Sequence, residues 1–461
     1  MAEKIGNRPS VEEVANSGTV ASKTVLVDGF NLAMEKGSGI ATYARNLSEA
    51  LTTMGHTVQL LYGPNQPMGK NNLLNEVALY DAQKAGESGE NFQRWLRRVR
   101  SPSGRIVKRV TRTGDVITKQ MESRLPSVTT AWAATDLFHT ANRAFGKSRR
   151  LTPVFLEERG RKSEIDVAHW TTAMPLHAPG IPNLYTIHDL VPLRLPFTTM
   201  DNKRAFFRLC RSIIKKAAHV VTVSETSRND IVRMFNVAPD RITNTYQAVN
   251  IPAKLLAKTD QDVIAEVEGA FDLPWKGYFL FFGAIEPKKN LGRVVEAYLS
   301  SGVRGPLVIV GGRAWLAESE TALIQDSLVM ALSLDNGLLR RSDRIRRFEY
   351  LPFSMLVSLI RGAKATLFPS LYEGFGLPVL ESMLLGTPVL TSTEASIPEV
   401  AGDAAILVDP YDSAAIRRAI IKLDADEGLR EELSARGIQQ AAKFSEEAYR
   451  QRLTAVYKRL G

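Results

Sequence analysis

The sequence of 461 residues contains a single cysteine, Cys210, so no disulfide can form within the chain. So little cysteine is typical of a reducing compartment, which predicts a cytoplasmic protein. The six histidines are not paired with other ligands in the way that zinc sites require, so we expect no structural metal. No apolar run reaches the length of about 18 residues that crosses a bilayer.

The first 22 residues lack the apolar stretch of a secretory signal. They are small and polar, and we expect a disordered tail over 1–22. Acidic residues are scarce in a second region, because residues 91–150 contain 14 lysines and arginines but only 3 acidic residues. The balance of this segment, 14 − 3 = +11, accounts for the entire net charge of the chain, 59 − 49 = +10. The basic character therefore belongs to one segment.

Apolar β-branched runs alternate with helical patterns over most of the chain, which predicts parallel sheets covered by helices. We therefore expect two α/β domains, at 23–255 and 256–440, with a cleft between them. The segment of about 66–165 departs from this pattern and is predicted to be a basic insertion with few strands. Residues 441–461 are predicted to form an amphipathic helix that returns to the first domain.

The stretch LYEGFGLPVLES, residues 371–382, lies between a predicted strand and a predicted helix. Pro378 suits the first turn of that helix, and the preceding glycines leave its N-terminal dipole open to an anion. Glu373 lies on the turn and Glu381 lies about one turn into the helix, so both carboxylates can face one ligand and accept hydrogen bonds from sugar hydroxyls. The alternative is that they only stabilise the helix end.

A second group of candidates surrounds the cleft. Lys288 and Lys289 follow a strand and a proline turn, where cations oppose the dipole of the next helix, and this favours a shared diphosphate over solvated lysines. Asn290 is expected to cap that helix. His188 ends a strand of the first domain and is interpreted either as a group facing the cleft or as a half-buried structural imidazole.

Residues 91–100 are predicted to form a basic helix with an apolar stripe at i, i+3, i+4 and i+7. Such a helix can lie on an anionic membrane surface, or it can pack on its own domain. The predicted membrane contacts are Arg94, Trp95, Arg97 and Arg98. No aromatic platform accompanies the arginines, so no nucleic-acid role is expected.

Together these motifs resemble the retaining glycosyltransferases of family 4, which have the GT-B fold of two facing Rossmann-like domains. The likeness runs from about residue 23 to 461 outside the insertion, and its most specific part is 367–412. The supporting segments are GAIEPKKN, TIHDLVPLRLP, VSETSRNDI and GSGIATYARNL. One departure is the segment YQAVN at 246–250, where an Asn-Gly pair is common in the family.

The resemblance implies that the second domain binds a nucleotide-diphospho-sugar. It implies catalytic roles for Glu373, His188 and Lys289, with Glu373 holding the sugar hydroxyls and Lys289, helped by Lys288, neutralising the diphosphate. It also implies that Glu381 binds the ribose. The other implied donor contacts are Gly374, Phe375, Gly376, Leu377, Tyr350, Leu351, Gly37, Gly39 and Asp189.

The activity implied is transfer of a hexose with retention, giving an α-glycoside. The implied donor is GDP-mannose, and the acceptor is a polysaccharide or a lipid-linked oligosaccharide. No metal or other cofactor is implied, because the lysines and the helix end neutralise the leaving group. UDP-sugar donors, a non-catalytic nucleotide-sugar-binding scaffold and an epimerase are the alternatives, and the implied location is the cytoplasm, peripheral on the inner face of the plasma membrane.

Overall fold

The computed structural model describes residues 21–32, 39–80, 104–111, 113, 115–116, 130–157, 164–314, 317–318, 320–321, 330–335 and 338–460. Within these ranges the chain folds into two sheets covered by helices, with one additional hairpin. The predicted tail falls almost wholly outside the described residues. None of the helices in the described part combines the length and apolar character needed to cross a membrane.

The first sheet contains ten strands. Their bounds are β1 (Thr24–Asp28), β2 (Thr57–Tyr62), β3 (Arg105–Thr111), β4 (Thr130–Ala133), β5 (Thr152–Glu157), β6 (Val167–Trp170), β7 (Leu176–His177), β8 (Asn183–Thr186), β9 (His219–Thr222) and β10 (Ile242–Asn244). The spatial order is β10-β9-β8-β6-β1-β2-β4-β3-β5-β7, and the seven strands from β10 to β4 are parallel. The strand order therefore reverses between β1 and β6.

Helices connect these strands. Their bounds are α1 (Gly39–Thr53), α2 (Asn72–Tyr80), α3 (Leu137–Ser148), α4 (Val191–Arg194), α5 (Lys203–Lys216) and α6 (Glu225–Phe235). Ser224 caps α6, since its hydroxyl accepts a hydrogen bond from the backbone N–H of Ser227. This cap fixes the start of α6 beside the end of β9.

The segment of about 66–165 contributes more to the first sheet than its sequence indicated. Strands β3, β4 and β5 lie within it and extend the sheet beyond β2. Strand β3 is antiparallel to β4 and parallel to β5. Only Val107 and Val110 of β3 are buried, and the basic residues around them hide the strand from a pattern that expects continuous apolar runs.

The second sheet contains six parallel strands. They are β11 (Phe279–Phe282), β12 (Leu307–Val310), β15 (Ile345–Phe348), β16 (Ala365–Phe368), β17 (Val389–Ser392) and β18 (Ile406–Val408). The spatial order is β15-β12-β11-β16-β17-β18, which reverses between β11 and β16. Strands β13 (Met330–Asp335) and β14 (Leu338–Asp343) form a separate antiparallel hairpin.

The helices of the second half complete the fold. They are α7 (Ala253–Leu256), α8 (Asp260–Phe271), α9 (Leu291–Ser300), α10 (Phe353–Gly362), α11 (Leu377–Leu384), α12 (Ile397–Ala401), α13 (Ser413–Ala425), α14 (Glu427–Ala442) and α15 (Glu446–Lys458). The last helix returns to the first sheet, as the sequence predicted. The hydroxyl of Tyr457 in α15 lies 2.9 Å from Nδ1 of His169 in β6, and one hydrophobic cluster continues through both halves.

Candidate functional site

The candidate site lies where the strand order of each sheet reverses. In open α/β sheets a ligand binds beyond the carboxyl ends of the two strands at such a point. In the second sheet, β11 leads to Lys288 and Lys289 and β16 leads to Glu373. In the first sheet, β1 ends at Asp28 and β6 leads to Thr171. The topology therefore accounts for the proximity of residues far apart in sequence.

An ion pair joins two of the predicted site residues in the second sheet. Lys289 Nζ lies 2.6 Å from Glu373 Oε1, and the two side chains are 12% and 7% exposed. Lys288 Nζ lies 3.5 Å from Glu286 Oε1. Burial alone would lower the pKa of Lys288, but the nearby carboxylates of Glu373, Asp189 and Glu286 outweigh it and raise this pKa. Lys288 therefore stays charged although most of its side chain is removed from solvent.

The glycine loop before α11 exposes backbone rather than side chains. Gly376 has a φ of 105°, and a Cβ at this position would lie 2.7 Å from Ile397 Cδ1, so only glycine fits without displacing Ile397. The hydroxyl of Ser396 donates to the carbonyl oxygens of Glu373 and Phe375 at 2.9 and 3.0 Å. Within the described ranges, the backbone N–H groups of 374–377 have no acceptor. These N–H groups and the dipole of α11 have the chemistry that suits an anion.

Glu381, unlike Glu373, has no charged partner among the described residues. Its side chain is half-buried, and within the described residues it makes neither a hydrogen bond nor an ion pair. Loss of hydration raises the pKa of this carboxyl to about 7. An unpartnered acceptor one turn into α11 suits a ligand that donates hydroxyl groups.

His188 is held in one orientation by the end of the neighbouring strand. Its Nε2 lies 2.8 Å from the carbonyl oxygen of Thr171, so Nε2 carries the proton and Nδ1 keeps its lone pair. Desolvation lowers the pKa of His188, although the Thr171 carbonyl and the Asp189 carboxylate oppose the change. The ring also packs edge-on against Tyr43, with a centroid distance of 4.7 Å. A neutral His188 can therefore accept a hydrogen bond through Nδ1.

Sequence reasoning missed the group that fixes Thr171. The Asp28 carboxylate accepts hydrogen bonds from the backbone N–H and from the hydroxyl of Thr171, the latter at 3.1 Å. Asp28 is fully buried, and desolvation raises its pKa to about 6. A carboxylate that ends the buried strand TVLVD is unusual, and this was the available signal.

A chain of buried hydrogen bonds holds the hydroxyl of Tyr43 in place. Its hydroxyl lies 2.8 Å from Thr186 Oγ1, which lies 3.0 Å from Nε2 of His169. Nδ1 of His169 meets the hydroxyl of Tyr457 in α15. Burial lowers the pKa of His169 to about 3, so this imidazole stays neutral. Helix α15 is thus linked to His188 through these hydrogen bonds and through the contact between Tyr43 and the His188 ring.

The two halves of the site are in direct contact. A Cβ on Gly374 would lie 2.9 Å from the carbonyl oxygen of His188 and 3.0 Å from Oδ2 of Asp189. A Cβ on Gly39 would lie 3.5 Å from Leu377 Cδ1. The glycine loop of the second sheet therefore sits against the predicted residues of the first.

Two further contacts close the interface beside this loop. The carboxylate of Glu399 in α12 accepts hydrogen bonds from the backbone N–H groups of Glu225 and Thr226 at 2.8 and 2.7 Å. It thereby caps α6 from the other half of the molecule. The Tyr372 hydroxyl donates to Oδ2 of Asp230 at 2.7 Å. Sequence reasoning named neither contact, because each joins distant segments.

The predicted cap at Asn290 is wrong. Asn290 has a left-handed backbone with a φ of 62°, and its side chain accepts no hydrogen bond from the backbone of the first turn of α9. Its Oδ1 accepts instead from the guanidinium of Arg293 at 2.8 Å. The amide nitrogen of Asn290 donates to the carbonyl oxygens of Pro369 and Pro410 at 2.9 and 2.8 Å. The residue ties the lysine turn to the segment that follows β16.

Some predicted residues are not joined to this cluster. Tyr350 is 65% exposed and, with the half-buried Leu351, follows β15 at the same edge of the second sheet. Gly37, Arg94, Trp95, Arg97 and Arg98 lie outside the described residues. In the part of the chain that the structure describes, no three His, Cys, Asp or Glu side chains form a group that could hold a metal ion.

Comparisons with known proteins agree with this architecture. The model for the family described as "Glycosyl transferases group 1" matches residues 273–440. The model for "Glycosyltransferase Family 4" matches residues 115–251. The two matches fall on the second and the first sheet.

Among curated proteins, the chain is 33% identical over 280 residues to O-antigen chain mannosyltransferase B of Escherichia coli, covering 60% of this chain and 70% of that protein. It is 28% identical over 282 residues to the serotype-specific mannosyltransferase WbdA of Escherichia coli, covering 60% of this chain but 33% of WbdA. Among solved structures, Anabaena Alr3699/HepE in complex with UDP and glucose superposes with a TM-score of 0.61 at 13% identity, covering 95% of this chain and 99% of that one. The fold is therefore GT-B, as the sequence predicted.

Proposed function

Because the chain belongs to the group 1 and family 4 glycosyltransferases, we propose that it transfers a hexose from a nucleotide-diphospho-sugar to a glycan acceptor, with retention of configuration. The observation that carries this proposal is the buried pair of Lys289 and Glu373 at the reversal of the second sheet. A cation and an acceptor at one point match the diphosphate and the hydroxyls of such a donor.

The donor lies along the carboxyl edge of the second sheet. Lys288, Lys289 and the N–H groups before α11 neutralise the diphosphate. Glu381 accepts hydrogen bonds from the ribose, and Tyr350 and Leu351 border the nucleobase. Donor binding separates Lys289 from Glu373, so that the lysine turns to phosphate and the carboxylate turns to sugar hydroxyls.

The chemistry follows from these charges. Cleavage of the anomeric C–O bond leaves an oxocarbenium-like sugar and a diphosphate anion, which the two lysines and the helix dipole stabilise. The acceptor hydroxyl attacks from the face that the diphosphate leaves, and a diphosphate oxygen takes its proton. Nδ1 of His188 accepts a hydrogen bond from the sugar and orients it. The lysines perform the charge neutralisation that a metal performs in other transferases, so we propose a metal-independent reaction.

The proposed donor is GDP-mannose and the proposed product is an α-mannoside in an O-antigen-type polysaccharide. The names of the two curated relatives, both mannosyltransferases of Escherichia coli, support this choice. A UDP-sugar is the alternative, supported by the solved Anabaena protein that holds UDP and glucose. A lipid-linked acceptor would place the reaction on the inner face of the plasma membrane.

A panel of nucleotide-sugars scored by thermal shift tests the donor assignment. A ligand at 100 times its dissociation constant stabilises the folded state by about 2.7 kcal/mol. We expect GDP-mannose to raise the melting temperature most and UDP-sugars less. Equal shifts from every nucleotide would reject the choice of mannose, and no shift from any of them would reject the donor site.

An assay of hexose transfer to a glycan acceptor then distinguishes an enzyme from a non-catalytic nucleotide-sugar-binding scaffold. Glu373→Ala should abolish product formation while the protein still unfolds cooperatively, although the loss of the partner of Lys289 should lower its melting temperature. A wild-type protein that binds a nucleotide-sugar but transfers it to no acceptor tested would favour the scaffold.

A further inference from the structure

Helix α5 carries an uncommon charge pattern on the surface of the first half. Its sequence, KRAFFRLCRSIIKK, holds six lysines and arginines and no acidic residue. Arg204, Arg208, Arg211 and Lys215 are exposed and follow one another at i, i+4, i+7 and i+11, so they form a single row. At about 1.5 Å per residue the row is roughly 16 Å long. The opposite face of the helix packs on the sheet.

The stability of α5 does not explain this row. The first turn of the helix contains Lys203 and Arg204 and no acid, although a helix N-terminus favours anions. Among the described residues, the four cations of the row form no ion pair. Arg204 therefore opposes the dipole of its own helix, whereas Lys215 in the last turn favours it. A row of four exposed cations without an ion pair points to a partner outside the chain.

Two large apolar side chains lie just before the row. Phe197 is 65% exposed and Met200 is 74% exposed, and both precede the helix cap at Asn202. The segment that bears them begins directly after His188 and Asp189 of the candidate site. The exposed apolar pair therefore stands, in sequence, between the site and the basic row.

We propose that this face, made of the basic row with Phe197 and Met200, binds the surface of an anionic lipid bilayer. The cations match lipid phosphates, and the two apolar side chains match the acyl boundary beneath them. A nucleic acid or an acidic protein would use the cations but would not account for exposed apolar side chains beside them. Residues 94–98, the predicted membrane contact, lie outside the described residues. The face proposed here is a second membrane contact, and it follows His188 and Asp189 in the sequence.

Vesicle flotation of the full-length protein tests this surface. The wild type should float with vesicles of phosphatidylcholine and phosphatidylglycerol and not with phosphatidylcholine alone, and added salt should release it. Arg208→Glu with Arg211→Glu should lower binding at least ~10-fold, because charge near an anionic surface dominates the affinity. The matched control is Arg417→Glu with Lys422→Glu, which makes the same charge change at exposed positions of α13; it should bind as the wild type does.

A second variant addresses the apolar part without changing charge. Phe197→Ser with Met200→Ser should reduce binding several-fold and leave the melting temperature unchanged, since both side chains are exposed. The proposal is overturned if the α5 variant floats like the wild type, or if the α13 control loses binding equally. It is also overturned if Arg97→Glu with Arg98→Glu alone abolishes binding that the α5 variant keeps, or if an acidic polymer binds the row while vesicles do not.

Discussion

The polar side chains at the reversal points of the two sheets differ in whether they have hydrogen-bond partners within the protein. In the first sheet, Asp28 accepts two hydrogen bonds from Thr171, and Thr171 in turn holds His188. In the second sheet, Glu381 has no side-chain partner among the described residues, and Lys289 and Glu373 are paired with each other. The polar groups around Thr171 are thus satisfied within the protein, whereas Glu381 is not, and we expect a ligand to supply its partner.

From this difference we expect the two halves of the site to have different roles. A network whose polar groups are all satisfied is rigid and positions a side chain. Charged groups that lack partners, or that are paired only with each other, can exchange those contacts for a ligand. We therefore expect substitutions in the second sheet to change donor binding and chemistry, and those in the first to change the rate through the orientation of His188.

The largest effect is expected from Glu373→Gln. The amide keeps the shape of the side chain but removes the charge that orients the sugar and pairs with Lys289. Loss of one positioned electrostatic group costs about 10²–10³ in kcat. The measurement is transfer at saturating donor, with Glu394→Gln as an exposed control in the same half; a variant that kept more than a tenth of the wild-type rate would remove Glu373 from the mechanism.

Glu381→Gln should weaken donor binding about tenfold, the size of one hydrogen bond to a charged group. The pKa of about 7 for the Glu381 carboxyl adds a pH dependence. Wild-type affinity should fall between pH 8 and pH 6 as the carboxylate is protonated, and the Gln variant should show a flatter profile. Calorimetric titration with the nucleotide-sugar measures both; identical profiles for the two proteins would contradict the ribose assignment.

The same substitution should stabilise the unliganded protein at high pH. The folded pKa lies above the ordinary value of 4.5, so the folded state binds more protons and stability is lost as pH rises from about 4.5 through 7. The shift corresponds to about 3 kcal/mol at most. Urea unfolding at pH 5 and pH 8 should show a loss in the wild type that is smaller in Glu381→Gln.

A smaller effect is expected in the first sheet. Asp28→Asn keeps one acceptor for Thr171 but replaces the other with a donor, so the carbonyl that holds His188 becomes less fixed. We expect kcat to fall about fivefold with an unchanged dissociation constant for the donor, since a weakened hydrogen bond is worth about 1 kcal/mol. Thr171→Ser keeps both bonds to Asp28 and is the control. An equal loss in donor affinity would mean that Asp28 acts on the fold rather than through His188.

The smallest effect is expected from Tyr372→Phe, which removes a contact between the halves. Asp230 keeps Arg194 and Arg233 as partners, so the loss should be about 1 kcal/mol in unfolding free energy. Transfer should stay within about threefold of the wild type. A loss as large as that of Glu373→Gln would show that closure of the interface, rather than the donor site, limits the reaction.

Local patterns predicted the elements that carry the donor site. The apolar runs at 278–285 and 365–370 contain the strands β11 and β16 on either side of the reversal, and Pro378 lies in the first turn of α11 as expected. Family likeness then named Glu373, Lys288, Lys289 and His188. These residues depend on short segments whose conformation is set by neighbours in the sequence.

The remaining features depend on contacts between distant segments. Glu399 caps α6 across 173 residues, and Tyr457 meets His169 across 288. Asn290 is not a side-chain cap, because its amide nitrogen donates to two distant carbonyls and its Oδ1 accepts from the Arg293 guanidinium. Strand β3 was not predicted, because its two buried valines are separated by lysine and arginine and form no apolar run. No periodicity within one segment reports such pairings.

If Lys288 and Lys289 form the proposed diphosphate site, their loss should weaken the binding of a nucleoside diphosphate to the unliganded enzyme. Calorimetric titration of the wild type and of Lys288→Met with Lys289→Met should show a dissociation constant for GDP raised at least ~100-fold, since two buried charge-assisted contacts are lost. Both proteins should be folded, as judged by their melting curves. A double variant that binds GDP with the wild-type dissociation constant would contradict the assignment of the donor site.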